Sequence, residues 1–194
     1  MPRAGLNTDR VVAEAAELAD EVGLDQLTQA ALAARLGVRQ PSLYKHVASS
    51  DALLQLIAMR GKAELSDVLG RAAIGRARDD ALVAMAHAYR AWALEHPGRY
   101  QAAQRPAVLG DAADEAVSNR AVQVLAAVMD GYGLAGDDAI DAIRAFRAAL
   151  HGFVSLEGSG AFALPASVDR SFDRLVQALA GSLSNWAGAP GRSG

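Results

Sequence analysis

LTQAALAARLGVRQPSLYKHVASSDALL, residues 27–54, decides how this chain is read. Leu27 to Leu36 forms a short amphipathic pattern, and Thr28 stands at its mouth, where a hydroxyl caps free backbone N–H groups. Gly37 follows Leu36, where a helix that stops abruptly needs a left-handed residue. Val38 plugs the corner. Pro41 suits the first turn of a second helix, because its missing N–H would have no partner there. Leu43 and Val47 share one face of that helix and leave Gln40, Ser42, Tyr44, Lys45 and His46 to point elsewhere. Five polar or aromatic side chains on about two turns suit the edge of a DNA major groove. The pattern is a helix-turn-helix whose second helix is the reader.

The surrounding sequence is helical throughout. A first helix spans about residues 8–22, capped by Asn7 or Thr8, with Val11, Ala15, Leu18 and Val22 as its buried stripe. Ser49-Ser50-Asp51 opens a connecting helix that fades at Gly70, and GRAAIGRA, 70–77, reads as a joint. Further helices follow at about 79–95, 99–105, 111–132, 137–157 and 167–186. GSGAFALPAS, 158–167, reads as a loop. No strand, internal repeat or long heptad run is evident. The divisions expected are 1–48 for the head, 49–69 for the connecting helix, 70–187 for a helical body and 188–194 for a disordered tail.

Composition narrows the function. The chain has 194 residues, enough for one large or two small domains, and 52% hydrophobic residues, enough for a sizeable core. Without cysteine, disulfide and thiolate chemistry are excluded. MPRAGLNTDR has no apolar run, and no stretch approaches the roughly 18 apolar residues of a membrane helix, so a cytoplasmic location without membrane contact is expected. The net charge of −3 is unusual for a DNA binder. Its distribution resolves this, because residues 26–50 carry Arg35, Arg39 and Lys45 and no acid, while Glu14, Glu17, Asp20 and Glu21 lie on the first helix. The histidines lack metal-ligand spacing and no HExxH occurs, so no metal or cofactor is expected.

LGVRQPSLYKHV, framed by Arg10-Val11-Val12, Ala15-Ala16, Leu18 and Val22-Gly23-Leu24, resembles the DNA-binding head of the tetracycline-repressor (TetR) family over roughly the first 55 residues. The resemblance implies an all-α homodimer: a three-helix head on a larger helical body that binds ligand and dimerises, acting as a repressor released from its operator by a small molecule. The DNA-binding set is then Thr28, Arg39, Gln40, Pro41, Ser42, Tyr44, Lys45 and His46. Gln40 suits adenine or phosphate, Ser42 several base edges, Lys45 guanine or phosphate, and Pro41 a thymine methyl. Arg39 sits in the turn, facing backbone or a flanking base. Tyr44 and His46 match family positions that contact phosphate. Two positions depart from the family pattern. Ser50 stands where a lysine often opens the connecting helix, and Ala30 where tetracycline-responsive members carry a base-reading arginine, so a different operator is expected. Arg3 and Arg10 are candidate backbone contacts, with a solvated tail the alternative for Arg3.

In the body, Met85, Tyr89, Trp92, Tyr100, Phe146, His151 and Phe153 are expected to line a ligand pocket, with plain core packing the alternative for each. His87 and His96 are further polar candidates. His151 lies on an apolar helix, either as a core histidine with a partner or as a ligand contact. The last two long helices carry Ala139, Ala142, Ala145, Ala148 and Ala149, then Ala178, Ala180 and Gly181, small residues suited to a four-helix dimer interface. Two other classes are the alternatives: a helical enzyme and a ligand-blind architectural DNA binder. Against the enzyme stands the lack of a nucleophile–base pair, a phosphate-cradling glycine loop or a close carboxylate pair.

Overall fold

A computed structural model describes residues 6–186, so the expected arm contact at Arg3 and the expected tail at 188–194 lie outside the described residues. Among the described residues every regular element is helical: α1 Thr8–Val22, α2 Gln29–Leu36, α3 Ser50–Ala73, α4 Arg78–Glu95, α5 Pro97–Ala103, α6 Ala112–Asp130, α7 Gly136–Gly158 and α8 Val168–Trp186. Short 3-10 segments occupy Leu24–Gln26 and Gln40–Lys45. None of these helices is long and apolar enough to cross a membrane.

Most sequence boundaries agree with these spans, and the differences have local causes. The connecting helix does not fade at Gly70. It continues to Ala73, because an isolated glycine lowers helix stability by only about 1 kcal/mol. Residues 74–77, expected to be part of a joint, instead link α3 to α4 within one compact unit. Asn7, not Thr8, caps α1, its side chain accepting from Arg10 N at 2.8 Å. Thr8 instead donates from its hydroxyl to the His46 carbonyl. Of the Ser49-Ser50-Asp51 run that opens the connecting helix, Ser49 is the cap, its Oγ accepting from Ala52 N at 3.0 Å.

The chain separates into two compact units, Met1–Glu64 with Glu95–Ser118, and Leu65–Leu94 with Asn119–Gly194. This grouping differs from the expected divisions at 48/49 and 69/70, because α5 belongs with the head. The head's core joins Val11, Ala15 and Leu18 of α1, Leu32 and Ala33 of α2, Leu43 and Val47 of the reading segment, Leu53 and Ile57 of α3, and Ala102 of α5. At Gly98, α5 approaches α1 so closely that an added Cβ would lie 2.3 Å from the Ala19 carbonyl. At Gly61 of α3 an added Cβ would meet the Arg99 carbonyl oxygen at 2.8 Å. Glycine is what lets both backbones come within reach of α5. Between these crossings Arg99 bonds Asp20 of α1 at 2.7 Å and Glu64 of α3 at 2.9 Å.

The start of α6 is fixed to α3 by a buried carboxylate. Asp114 is fully buried and accepts from Lys62 Nζ at 3.0 Å, from Gln55 Nε2 and from the Val108 backbone N–H at 2.9 Å. Burial alone would raise its pKa. The bonds from Val108, Lys62 and Gln55 outweigh burial and hold the carboxyl below its ordinary value.

In the second unit, α4 buries Ala81, Leu82, Met85, Ala86, Tyr89 and Trp92; α7 buries Ala142, Ile143, Phe146, Leu150 and Val154; and α8 buries Phe172, Val176, Ala180 and Leu183. Arg90 of α4 bonds Glu157 at the end of α7 and Asp169 at the start of α8, and its guanidinium lies 4.9 Å from the Phe172 ring centre. One side chain thus closes the corner between α7 and α8.

Replacing Asp114 by Ala removes the buried carboxylate shared by Lys62, Gln55 and the Val108 N–H, and is expected to destabilise the fold by about 3 kcal/mol at neutral pH, read from urea unfolding. Because the folded carboxyl titrates below the unfolded value of about 3.9, its contribution is complete above that pH and declines as pH falls through the folded value. The deficit should therefore shrink below about pH 4. A constant deficit across the range would mean that the ion pair is not its origin.

Candidate nucleic-acid interface

Thr28 opens α2 in extended conformation, and its hydroxyl accepts from Ala31 N at 3.1 Å. Gly37 closes α2 with φ +67°, the left-handed conformation its position requires. The residues that follow do not form the expected α-helix. Gln40–Lys45 is a 3-10 segment, with Ser42 N bonded to Arg39 O and His46 N to Leu43 O, both at 2.9 Å. A six-residue run with proline at its start holds too few i→i−4 bonds to favour the wider helix.

The tighter winding still sorts the side chains. Leu43 and Val47 are buried in the head's core, whereas Arg39, Gln40, Pro41, Tyr44 and Lys45 are exposed and Ser42 and His46 half-buried. Tyr44 is 52% exposed, an uncommon position for a large aromatic side chain with no surface role. Thr28 is also exposed, so the eight residues expected to meet DNA come together in the first unit.

Arg35 does not join them. It falls in the acid-free window of residues 26–50, yet its guanidinium bonds Glu21 at 2.6 Å, Glu14 at 3.0 Å and Glu17 at 3.3 Å, all from α1. The Glu21 bond, then the Glu14 bond, raise the guanidinium's pKa, and Arg35 in turn lowers that of Glu21. The cation is satisfied by the acidic face of α1, which carries three carboxylates to its one positive charge. The reading segment's own cations are therefore Arg39 and Lys45.

Beside the reading segment lies a groove of about 730 Å³, lined in part by Thr28, Gln40, Tyr44, Ser50, Leu53 and Arg105. Ser50 accepts a hydrogen bond from Gln29 Nε2 at 3.1 Å and joins α3 to α2. Sequence reasoning missed Gln29 and Arg105. Both act through partners more than 20 positions away, and no local spacing signals them.

The residues expected to line a ligand pocket divide. Met85, Tyr89, Trp92 and Phe146 are buried in the second unit, and His151 is half-buried there. Phe153 packs against Phe172 and Phe162, with ring centres 5.1 and 4.8 Å apart. Tyr100 is buried in the first unit and is grouped with the head, because α5 carries it there. His96 goes with it, 3.4 Å from Asp20, while His87 lies in the second unit 3.3 Å from Asp173. Among the described residues no cluster of three or more metal-ligating side chains forms.

Comparison with known proteins places this geometry. Residues 11–57 match the model of bacterial regulatory proteins of the tetR family, and residues 82–179 match the tetracyclin repressor-like C-terminal domain. The chain is 40% identical over 181 residues to an HTH-type transcriptional regulator of Mycobacterium tuberculosis, Rv0681, spanning 93% of this chain and 83% of that one. It belongs to the TetR family. TetR-family regulators are transcription factors, not enzymes, with a DNA-binding head and a ligand-binding C-terminal domain. The fold agrees with TetR from Acinetobacter baumannii AYE, a Q116A variant in complex with minocycline, at TM-score 0.72 and 24% identity over 93% of this chain and 98% of that one. It agrees likewise with BioQ bound to its double-stranded DNA operator, at TM-score 0.69 and 22% identity over 93% and 99%.

For this TetR-family head, Lys45→Ala is expected to lower the slope of log affinity against log salt by about 0.9, the counterions of one phosphate. Arg35→Ala should leave the slope unchanged. Fluorescence anisotropy with a DNA duplex between roughly 50 and 200 mM salt measures both, and an equal fall for Arg35→Ala would return that residue to the interface.

Proposed function

We propose that the protein is a ligand-responsive repressor that binds a palindromic operator as a homodimer and leaves it when a small molecule occupies the body. The observation that carries the DNA half is the reading segment. Leu43 and Val47 anchor it in the core while Gln40, Tyr44 and Lys45 stay open to solvent. Thr28, Arg39, Pro41, Ser42 and His46 complete the proposed contact surface. Membership of the TetR family and the operator-bound relative of similar fold support this reading.

The proposed dimer forms through α7 and α8. Within the subunit, Ala139, Ala142 and Ala180 are already buried, so they do not serve the interface as expected. Ile140, Arg144, Ala148, Gly152 and Leu156 are exposed at four-residue spacing along α7, and Ala178 and Gly181 are exposed on α8. Small residues at the centre of such a stripe let a second copy approach closely. For the ligand, the proposed lining is Met85, Tyr89, Trp92, Phe146, His151 and Phe153, on α4 and α7. A ligand that binds better to the form unable to span two half-sites weakens DNA binding, and DNA weakens ligand binding by the same factor.

Selection of random duplexes by the purified protein, followed by sequencing, is expected to recover a palindrome with half-sites about 34–36 Å apart. Absence of enrichment after refolding without small molecules would defeat this reading. Ala148→Arg is expected to give monomers in analytical ultracentrifugation and to abolish binding of the recovered palindrome. Retention of a dimer would place the interface elsewhere.

A further inference from the structure

Arg105 lies outside the helix-turn-helix, just beyond the end of α5, and has no expected role in recognition. Its guanidinium reaches back to the start of α3. Nη2 donates to Asp51 Oδ1 at 2.6 Å, and Nε to Gln55 Oε1 at 3.4 Å. A guanidinium carries five N–H donors in a planar fork, and the Nη1 donors take no part in these two bonds. The side chain remains 36% exposed. It lines the same groove as Thr28, Gln40, Tyr44 and Ser50.

A second observation concerns charge. The resemblance of the head implies a phosphate-binding lysine at the start of α3, and this chain has Ser50 there. Ser50 brings no charge, and its hydroxyl oxygen is engaged by Gln29. Arg35 is neutralised by three glutamates. The partner that holds Arg105 is Asp51, the residue next to Ser50. A cation thus stands beside the position that lacks one, supplied by the segment after α5 instead of by α3.

We propose that Arg105 contacts the DNA backbone, seating one phosphate of the bound duplex at this groove in place of the missing position-50 cation. Asp51 and Gln55 orient the fork, and the phosphate takes its remaining donors. The contact is sequence-independent and adds affinity without base preference. This inference rests on the reading of the head as the operator-binding element.

The test compares wild type, Arg105→Gln and Arg105→Lys on two probes, the palindrome recovered by selection and a duplex of unrelated sequence. Arg105→Gln keeps an amide to bond Asp51 but removes the charge. It is expected to weaken both probes by a similar factor and to lower the salt slope by about 0.9. Arg105→Lys should retain the slope. A loss of affinity at unchanged slope in Arg105→Gln would show a purely structural role and overturn the proposal, as would unchanged binding. Asp51→Asn adds a reading independent of Arg105 truncation. It should tighten binding in the wild-type background more than in Arg105→Gln, and equal tightening in both would also count against the contact. Failure of wild type to bind the palindrome would refute the underlying reading instead, so the two failures are distinct.

Discussion

The close passage of α5 across α1 is the constraint on which the head depends. Gly98 brings the two backbones together at Ala19, Gly61 brings α3 to the same short helix, and Arg99 bonds an acid on each side. Any side chain at position 98 would overlap the α1 backbone itself, which cannot yield as a flexible side chain can. Burial opposes the charge on Arg99, but Glu64 and Asp20 outweigh it and raise its pKa. The reading segment inherits its placement from this arrangement, since Leu43 and Val47 insert into the core that these helices enclose.

Charge is distributed with the same economy. The acidic balance of the chain is not a background against which a basic patch stands out. Part of it is spent on Arg35, and further carboxylates hold Arg90 and Arg99 in place. Few cations remain for the DNA face. On the proposed reading, such a head gains less from long-range attraction than a strongly basic one, and more from the fit of Gln40, Ser42 and Tyr44 to base edges and backbone.

Much of this was legible in the sequence because the signals are local. Thr28, Gly37 and Pro41 mark their positions by backbone chemistry, and the spacing of Leu43 and Val47 fixes which face is buried. The all-helical class and the family followed from the same residues. What escaped was whatever depends on distant partners. Arg35 looked like a free cation because its three acids lie 14 to 21 positions away. Residues 40–45 looked like an α-helix because periodicity does not separate a tight turn from a wide one over six residues. Asp114 carries no local signal, and only the fold shows it buried among Gln55, Lys62 and Val108. Aromatic spacing likewise does not reveal which unit a side chain joins, as at Tyr100, or which ring it meets, as at Phe153.

The membership of α5 in the head's core has a bearing on how such regulators diversify. The DNA-reading element is not an N-terminal cassette that recombination could move as one uninterrupted stretch of gene. A graft of residues 1–64 alone would leave the Ala19 surface bare and the head core without Ala102. New pairings of reader and sensor must carry a compatible α5 from the middle of the chain, so drift by point substitution is the more accessible route to a new operator.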